Sequence, residues 1–498
     1  MKRTLNKKQT LNVSQEYTQA NFALVISSVL TVVLLLNSID FATQTIKPFV
    51  FVVFLAYALF TGLQMFIRWM IRRDLLRFGE IRTTTRRLGY VQLLSLLTGN
   101  IFIVSFASNL IKEKRTTEYM FAVYMLLTQV FIIAISALNL FKPYVSDTFL
   151  PAMIILIGIA IYHLVVLIIV AKSVKQEMTP KWIVYLAVPL MLTALTGNLF
   201  ALLLGYSLLF KSRSKDKSRI VKWDTMWEKI TRNMMAALGL FFIILLFAIS
   251  VCSKFTFDYD LAVENNYEAL LQHPSLAYPL GTDNFGRDLF SRIIFGARIS
   301  LLVGFASTLI PLVVGGALGA LAGYYSNRTD NIIMRLLDVL YAIPGILLAI
   351  AIIAAFGANT TNLILALSVG AIPTYARTMR ANVLMVSNYE FVDSARALGA
   401  SDLSIIFKQV VPNSLAPMIV KATLTIGGAI IATSSLSFLG LGVEPHIPEW
   451  GNILRLGSTY LESNSYLAIY PGLAIIALVL SFNFLGDGLR DALDPRMD

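Results

Sequence analysis

The chain has 498 residues, 57% hydrophobic and only 14% charged, with a mean hydropathy of +0.71. Soluble domains carry about a quarter charged residues, so this composition excludes a soluble globular protein and points to a polytopic membrane protein. The net charge of +12 lies in short basic loops between apolar runs, the positive-inside pattern and not a nucleic-acid footprint; the single cysteine, Cys252, excludes an internal disulfide.

A membrane-crossing helix needs about 20 mostly apolar residues. Six such runs fill the first part of the sequence, near 21–37, 48–70, 90–109, 118–141, 148–171 and 182–210. The first follows a basic tail (Lys2, Arg3, Lys7, Lys8) and has no small-residue cleavage site behind it, so it reads as a retained helix. Basic clusters at Arg68–Arg87 and Lys211–Lys222 share the cytosolic side with the tail if an even number of crossings separates them. Six crossings satisfy this. They also turn Lys112, Lys114, Arg115, Lys172, Lys175 and Lys181 outward and leave Lys142 alone on an inward loop. Four crossings plus an interfacial hairpin is the alternative. His163, inside the fifth run, reads as a packed histidine bonded to a neighbouring helix.

The polar, basic stretch 211–231 is the clearest composition break. It divides an N-terminal transmembrane extension (1–210) from a second domain (232–498), and its Trp223 and Trp227 suit the headgroup level. The second domain opens with a run at 232–252, followed by a wet segment, about 253–298, predicted to lie outside. Further runs follow at 299–323, 332–356, 361–376, 414–440 and 466–486. Six crossings from a cytosolic start place the loop at about 377–413, and both termini, in the cytosol. Asp338 is expected to pair with Arg335, three residues away on one helix face.

That cytosolic loop has an internal grammar. Tyr389–Leu398 reads as a short amphipathic helix and Gly399 as its left-handed stop. Ser401 then caps a second helix carrying Leu403, Ile406, Phe407 and Val410 on one face, which Pro412 ends. Such an elbow needs a soluble partner. Elsewhere, Gly281, Asp283 and Gly286 favour tight turns in PLGTDNFGRD, with Arg287 and Asp288 beside them. Gly315, Gly319 and Gly323 recur every four residues, a spacing that lets helices approach closely; whether that contact also slides during gating is open. Pro344 breaks an apolar run and is the best candidate for a bend beside a pathway.

The elbow sequence DSARALGASD resembles the EAA loop of binding-protein-dependent ABC importer permeases, with Asp393, Ser394 and Ala395 standing for Glu-Ala-Ala and Gly399 for the family glycine. PLGTDNFGRD, Pro448-Glu449-Trp450-Gly451-Asn452 and the C-terminal GDGLRD (Gly486–Asp491) with Leu493–Arg496 are similar to the second membrane subunit of the dipeptide/oligopeptide class. The resemblance covers roughly 232–498. It implies an all-α integral membrane protein, a six-helix type I importer permease core preceded by about six extra helices. It implies a di- or oligopeptide importer driven by two ATPase subunits, which would bind ATP and Mg, with a homologous permease subunit and an extracellular peptide-binding lipoprotein, in a bacterial cell membrane. Asp393, Ser394, Ala395, Arg396, Gly399, Ser401 and Asp402 would meet the ATPase. Gly281, Asp283, Gly286, Arg287, Asp288, Glu449 and Trp450 would form the outer, binding-protein side, where the charged ones either pair among themselves to fix a loop or touch the partner. The sequence has no phosphate-binding GxxxxGK[ST], no HExxH, no GxSxG and no Cys/His cluster, so it offers no catalytic group, cofactor or metal site. The competing readings are the same machinery carrying nickel or another small solute, and a membrane sensor or scaffold built on the permease fold.

Overall fold

A computed structural model describes residue 11, 14–40, 45–46, 48–112, 116–174, 180–213, 217–325 and 327–493. The basic tail, Lys114, Arg115, Lys175, Lys215 and the Asp494-Pro495-Arg496 end of the C-terminal motif lie outside these residues. Among these residues the protein is all-α apart from one pair of two-residue strands, Ile39–Asp40 with Thr45–Ile46. Eight helices among the described residues are long and apolar enough to cross a membrane, or nine if one bent pair counts as a crossing. The chain divides into two compact units, 1–123 and 124–498.

Among the described residues the N-terminal part contains four long apolar helices, not six: α1 (Gln15–Ser38), α2 (Pro48–Phe78), α5 (Thr117–Ala137) and α6 (Phe149–Ser173). The expected crossing at 90–109 is a helical hairpin of α3 (Thr83–Gln92, running on as a 3₁₀ turn to Thr98) and α4 (Ile101–Ile111). The expected crossing at 182–210 is a second hairpin, α7 (Val184–Thr193, extended by 3₁₀ turns at both ends) and α8 (Leu199–Arg213). Each breaks at a left-handed glycine, Gly99 (φ 70°) and Gly197 (φ 83°), a conformation that stops a helix and that glycine adopts without a Cβ penalty. Hydropathy cannot register the break, because both arms are apolar at the turn.

The hairpins pack tightly within themselves. A Cβ on Gly89 of α3 would stand 3.1 Å from the Ala107 carbonyl of α4, and one on Gly205 of α8 would stand 3.1 Å from the Ala187 carbonyl of α7. Buried polar side chains fasten each hairpin to its long helices. Asn100 bonds Ser27 of α1 (Nδ2 to Oγ, 3.0 Å), and Asn198 Nδ2 donates to the Met125 carbonyl of α5 at 2.9 Å. His163 of α6 meets Thr193 Oγ1 at 2.9 Å, and since that hydroxyl donates to the Leu190 carbonyl, Nε2 carries the proton toward it. In apolar surroundings such bonds tie elements together that hydrophobicity alone cannot.

Amphipathic α9 (Lys217–Arg232) occupies the basic stretch. Its Trp223 packs among Tyr206, Phe210 and Trp227 and donates to Ser207 at 3.2 Å. The second part holds α10 (Met234–Thr256), α11 (Leu289–Tyr324), α12 (Asn327–Tyr341), α13 (Gly345–Phe356), α14 (Thr360–Val386), α15 (Glu390–Ala397), α16 (Asp402–Phe438), α17 (Trp450–Ser458) and α18 (Tyr466–Leu493). The expected crossing at 332–356 is the bent pair α12 and α13, turned by 78° at the break before Pro344. The run at 361–376 belongs to a longer helix, α14, that carries the chain past Arg377 and Arg380 to Val386.

Gly315, Gly319 and Gly323 form the seam between α11 and α14. A Cβ on Gly315 would lie 2.7 Å from the Ile372 carbonyl, one on Gly323 would lie 2.8 Å from the Arg380 carbonyl, and one on Gly319 would run into the Ala376 carbonyl. Three backbone approaches on one face require glycine at all three. One apolar core surrounds Trp450, drawing on Ile243, Leu301, Ile430 and Phe482, so it joins α10, α11, α16 and α18. A second gathers Ala320, Tyr375, Met379, Val383 and Met418 around the elbow.

Candidate functional site

The elbow is α15, Gly399 and the start of α16. α15 spans Glu390–Ala397, and Gly399 turns the chain at φ 79° with nothing within 4 Å of the position a Cβ would occupy. Ser401 stands at the N-cap of the next helix in extended conformation, but its side chain makes no capping bond. Pro412 does not end that helix. Residues Ile406–Val410 form a π turn in which the Val411 N–H reaches the Ile406 carbonyl, five residues back. The widened turn absorbs the proline's missing N–H, and the helix runs unbroken from Asp402 to Phe438.

The apolar face is also rearranged from the sequence reading. Val392, Ile405, Ile406 and Val410 are fully buried against α11, α14 and α16. Leu398 is 88% exposed, Leu403 57% and Phe407 61%. The elbow therefore has an inner face bolted to three long helices and an outer apolar face with no cover among the described residues. Asp393, Ser394, Arg396, Gly399, Ser401 and Asp402 are all exposed; Ala395 is partly buried at the edge of the inner core. Asp393 pairs with Arg396 at 3.2 Å. Tyr324, at the end of α11, was not evident from sequence: its hydroxyl donates to Asp402 at 2.9 Å and accepts from Arg396 at 3.4 Å, linking both arms of the elbow to α11.

Two ion pairs continue this linkage away from the elbow. Asp338 pairs with Arg377 at 2.6 Å and not with Arg335, because α14 brings that guanidinium alongside, where it also covers the Tyr341 ring at 4.0 Å. Arg380 grips Asp330 with two nitrogens, Nε to Oδ1 at 2.5 Å and a second bond from Nη2 to Oδ2. Helix α12 is thus clamped to α14, the helix that feeds the elbow, and α12 ends at the Pro344 bend. Lys421, a further ionisable residue inside an apolar run, was passed over in the sequence; its ammonium donates to the Thr374 carbonyl at 2.8 Å and Thr378 Oγ1 at 2.6 Å.

The outer cluster is a built-in brace. Gly281 (φ 81°) and Gly286 (φ 74°) make left-handed turns, with the Tyr466 ring and the Asn266 carbonyl where side chains would be. Asp283 accepts from Phe285 N at 2.9 Å, Arg287 N at 3.0 Å and Arg287 Nε at 2.8 Å. Asp288 caps α11, accepting from Phe290 N and Ser291 N. Glu449 caps α17 through Gly451 N and Asn452 N, and Trp450 Nε1 donates to the Ile293 carbonyl at 2.9 Å. Asp283, Arg287, Asp288, Glu449 and Trp450 are buried. The charged residues of this cluster are turned inward, and their hydrogen bonds fix the loop. Burial pushes the Glu449 carboxyl up from the ordinary carboxylate range.

Lys142 enters this cluster from the extension. Its ammonium lies 2.6 Å from Asp288 Oδ2 and 2.7 Å from Ser291 Oγ, with the two charged side chains 1% and 0% exposed. Burial lowers the Lys142 pKa, and Asp288 partly restores it. Ser136 and Asn139 also bond Thr256, at the end of α10. The turn after α5 thus shares one end of the unit with segment 253–298, against the inward loop expected for Lys142. Beside it a cavity of about 620 Å³ opens, with Asp147, Asp258, Asp260 and Glu264 on its walls. At the far end of α18, Gly486 and Gly488 allow close packing against Leu424 and Ala236, while Asp487, Arg490 and Asp491 are exposed on a helix that continues to Leu493. Among the described residues no group of three or more His, Cys, Asp or Glu is arranged to hold a metal ion.

Residues 315–498 match the family described as binding-protein-dependent transport system inner membrane component. The chain is 44% identical over 283 residues to the glutathione transport system permease protein GsiD of Pectobacterium atrosepticum, covering 57% of this chain and 94% of that relative. It is 42% identical over 275 residues to GsiD of Escherichia coli, covering 55% and 91%. A chain of the inward-facing MetNI methionine ABC transporter aligns at 21% identity with a TM-score of 0.35, over 41% of this chain and 96% of that one. The chain is a multi-pass membrane protein, and it belongs to the family of ABC-importer permease subunits to which GsiD belongs.

Proposed function

We propose that this chain forms half of the pathway of an ATP-driven importer of small peptides and is driven through the elbow at 389–413. The observation that carries the coupling reading is the division of the elbow into a buried inner face and an apolar outer face at Leu398, Leu403 and Phe407. An uncovered apolar patch rimmed by exposed Asp393, Arg396 and Asp402 suits a docking partner. The partner is a separate ATPase, one of two, since this chain has no phosphate-binding loop. Closure of the ATPase pair displaces the elbow, the buried contacts carry the displacement into α11, α14 and α16, and the Arg377 and Arg380 pairs carry it into α12 and the Pro344 bend. The exposed apolar faces of α12 and α13, including Leu336, Val339 and Phe356, are where a homologous permease subunit would complete the pathway. The peptide reading is supported by the relatives named for glutathione, itself a tripeptide; an extracellular binding lipoprotein would deliver the substrate.

The two hairpins support one orientation. If each returns to the side it left, four crossings separate the N-terminal tail from the stretch 211–231, and the clusters near Arg72, Lys112, Lys172 and Lys211 all fall on one side. That is the cytosol by the positive-inside rule, with the elbow and both termini there and segment 253–298 outside. The test is Gly399→Trp in the assembled importer, with labelled tripeptide uptake and ATPase co-purification measured together. Both should fall, since a left-handed bulky residue strains the turn by about 1–2 kcal/mol and obstructs the outer face. Unchanged uptake sinks the coupling reading; accumulation of another solute but never peptide sinks the substrate reading.

A further inference from the structure

The region before α9 contains one module twice. Leu97-Thr98-Gly99-Asn100 recurs 98 residues later as Leu195-Thr196-Gly197-Asn198, and the contacts recur at the same offset. Thr98 Oγ1 donates to the Ser95 carbonyl as Thr196 Oγ1 donates to the Thr193 carbonyl. Asn100 holds residue 27 and Asn198 holds residue 125. The Gly89–Ala107 approach becomes Ala187–Gly205, with the glycine and alanine exchanged between arms. Each module is therefore two long helices and a hairpin closed by a left-handed apex.

The apices differ in what covers them. On the second lies α10, the first long helix of the permease part. A Cβ on Gly197 would stand 2.7 Å from Ala248 Cα, and the Cys252 thiol donates to the Thr196 carbonyl at 3.3 Å. The Phe241 ring meets Phe200 and Phe131 with centroids 6.4 and 6.0 Å away. In the first module no helix stands over the counterparts of these positions among the described residues. Nothing among the described residues comes within 4 Å of a Cβ on Gly99; Phe102, counterpart of Phe200, is half-buried; Val33, counterpart of Phe131, is 45% exposed.

We infer that the first module is a second clamp of the same design, whose occupant is the first membrane helix of the other permease subunit. The same backbone makes the same seat, a close approach at the apex glycine flanked by apolar side chains, and such a seat selects a helix with a small residue at the contact. A second copy of this chain cannot fill it, because its own α10 is already held by its own second module. The occupant is thus a permease helix without a clamp of its own, carrying a small residue where α10 has Ala248 and an aromatic about two turns earlier, where α10 has Phe241. The inference rests on the two-permease importer proposed above.

The test uses the complete importer in its membrane, with photoreactive p-benzoylphenylalanine placed singly at Val33 and at Phe102. Neither position is fully buried, and assembly is checked by co-purification of the ATPase and the second permease. Irradiation should join both positions to the second permease, with adducts mapping to its first membrane helix. Adducts to another copy of this chain, or none to the second permease although it co-purifies, overturn the clamp and leave the permease reading standing. If neither partner co-purifies with the unmodified chain, the importer reading fails and the clamp fails with it.

Discussion

Lys142→Met tests whether the extension is a structural part of the permease. The substitution removes one member of a buried ion pair whose side chains are 1% and 0% exposed. Removing one partner from such a pair costs about 3–5 kcal/mol, because the remaining charge is left buried without its counter-ion. Asp288 keeps three donors, Phe290 N, Ser291 N and Ser291 Oγ, so the low end, about 3 kcal/mol, is expected. Large membrane proteins unfold irreversibly, so the appropriate assay is the half-life of the detergent-purified protein at one elevated temperature. If the contact opens before the unfolding barrier, about 3 kcal/mol shortens that half-life roughly 100-fold. Adding Asp288→Asn to the variant removes the stranded charge and keeps a good N-cap, so much of the loss should return. A half-life within twofold of the parent, or single losses that simply add in the double variant, would refute the reasoning.

Gly319→Val should separate α11 from α14, since its Cβ has the Ala376 carbonyl in its way; a loss of about 1–3 kcal/mol or more is expected, read as lower thermostability and lost uptake. Arg380→Met removes the clamp on Asp330 at a partly exposed site, so stability should change by no more than about 1 kcal/mol. If this pair transmits elbow motion, uptake should fall severalfold while ATP hydrolysis by the complex continues; equal loss of both would point to simple misassembly. Glu449 supplies a pH signature. Its folded pKa is raised, so the stability it contributes is complete below the unfolded carboxyl value, about 4.3, and is lost as pH rises through the folded value. Glu449→Gln keeps an oxygen for Gly451 and Asn452 N–H, so it should flatten the decline in thermostability across that rise; parallel pH profiles would count against this.

The membrane class, the seam glycines 315, 319 and 323, and the elbow with its Gly399 stop were legible in the sequence because each rests on local rules: apolar run length, small-residue spacing and the left-handed preference of glycine. The LTGN repeat was legible too, as identical letters 98 residues apart, yet a hydropathy window averages across Gly99 and Gly197 and reads each hairpin as one crossing. Which side of an amphipathic helix meets the protein and which meets a partner was not legible. Leu403 and Phe407 are as apolar as Ile405 and Ile406, and only the packing of α11, α14 and α16 decides that the second pair is covered. The same holds for charge. Asp338 had a plausible partner three residues away, but the partner at 2.6 Å comes from another helix.

By itself, then, the sequence determined the membrane class and the local form of the elbow, since those properties follow from composition and from contacts within a few residues. Tertiary structure alone decided that Lys142 of the extension completes the Asp288 cap and that one apex glycine is covered while its equivalent meets nothing among the described residues. Those pairings join residues more than a hundred positions apart or depend on what stands beside a surface. No local rule of spacing or propensity encodes a neighbour that the fold has yet to bring there.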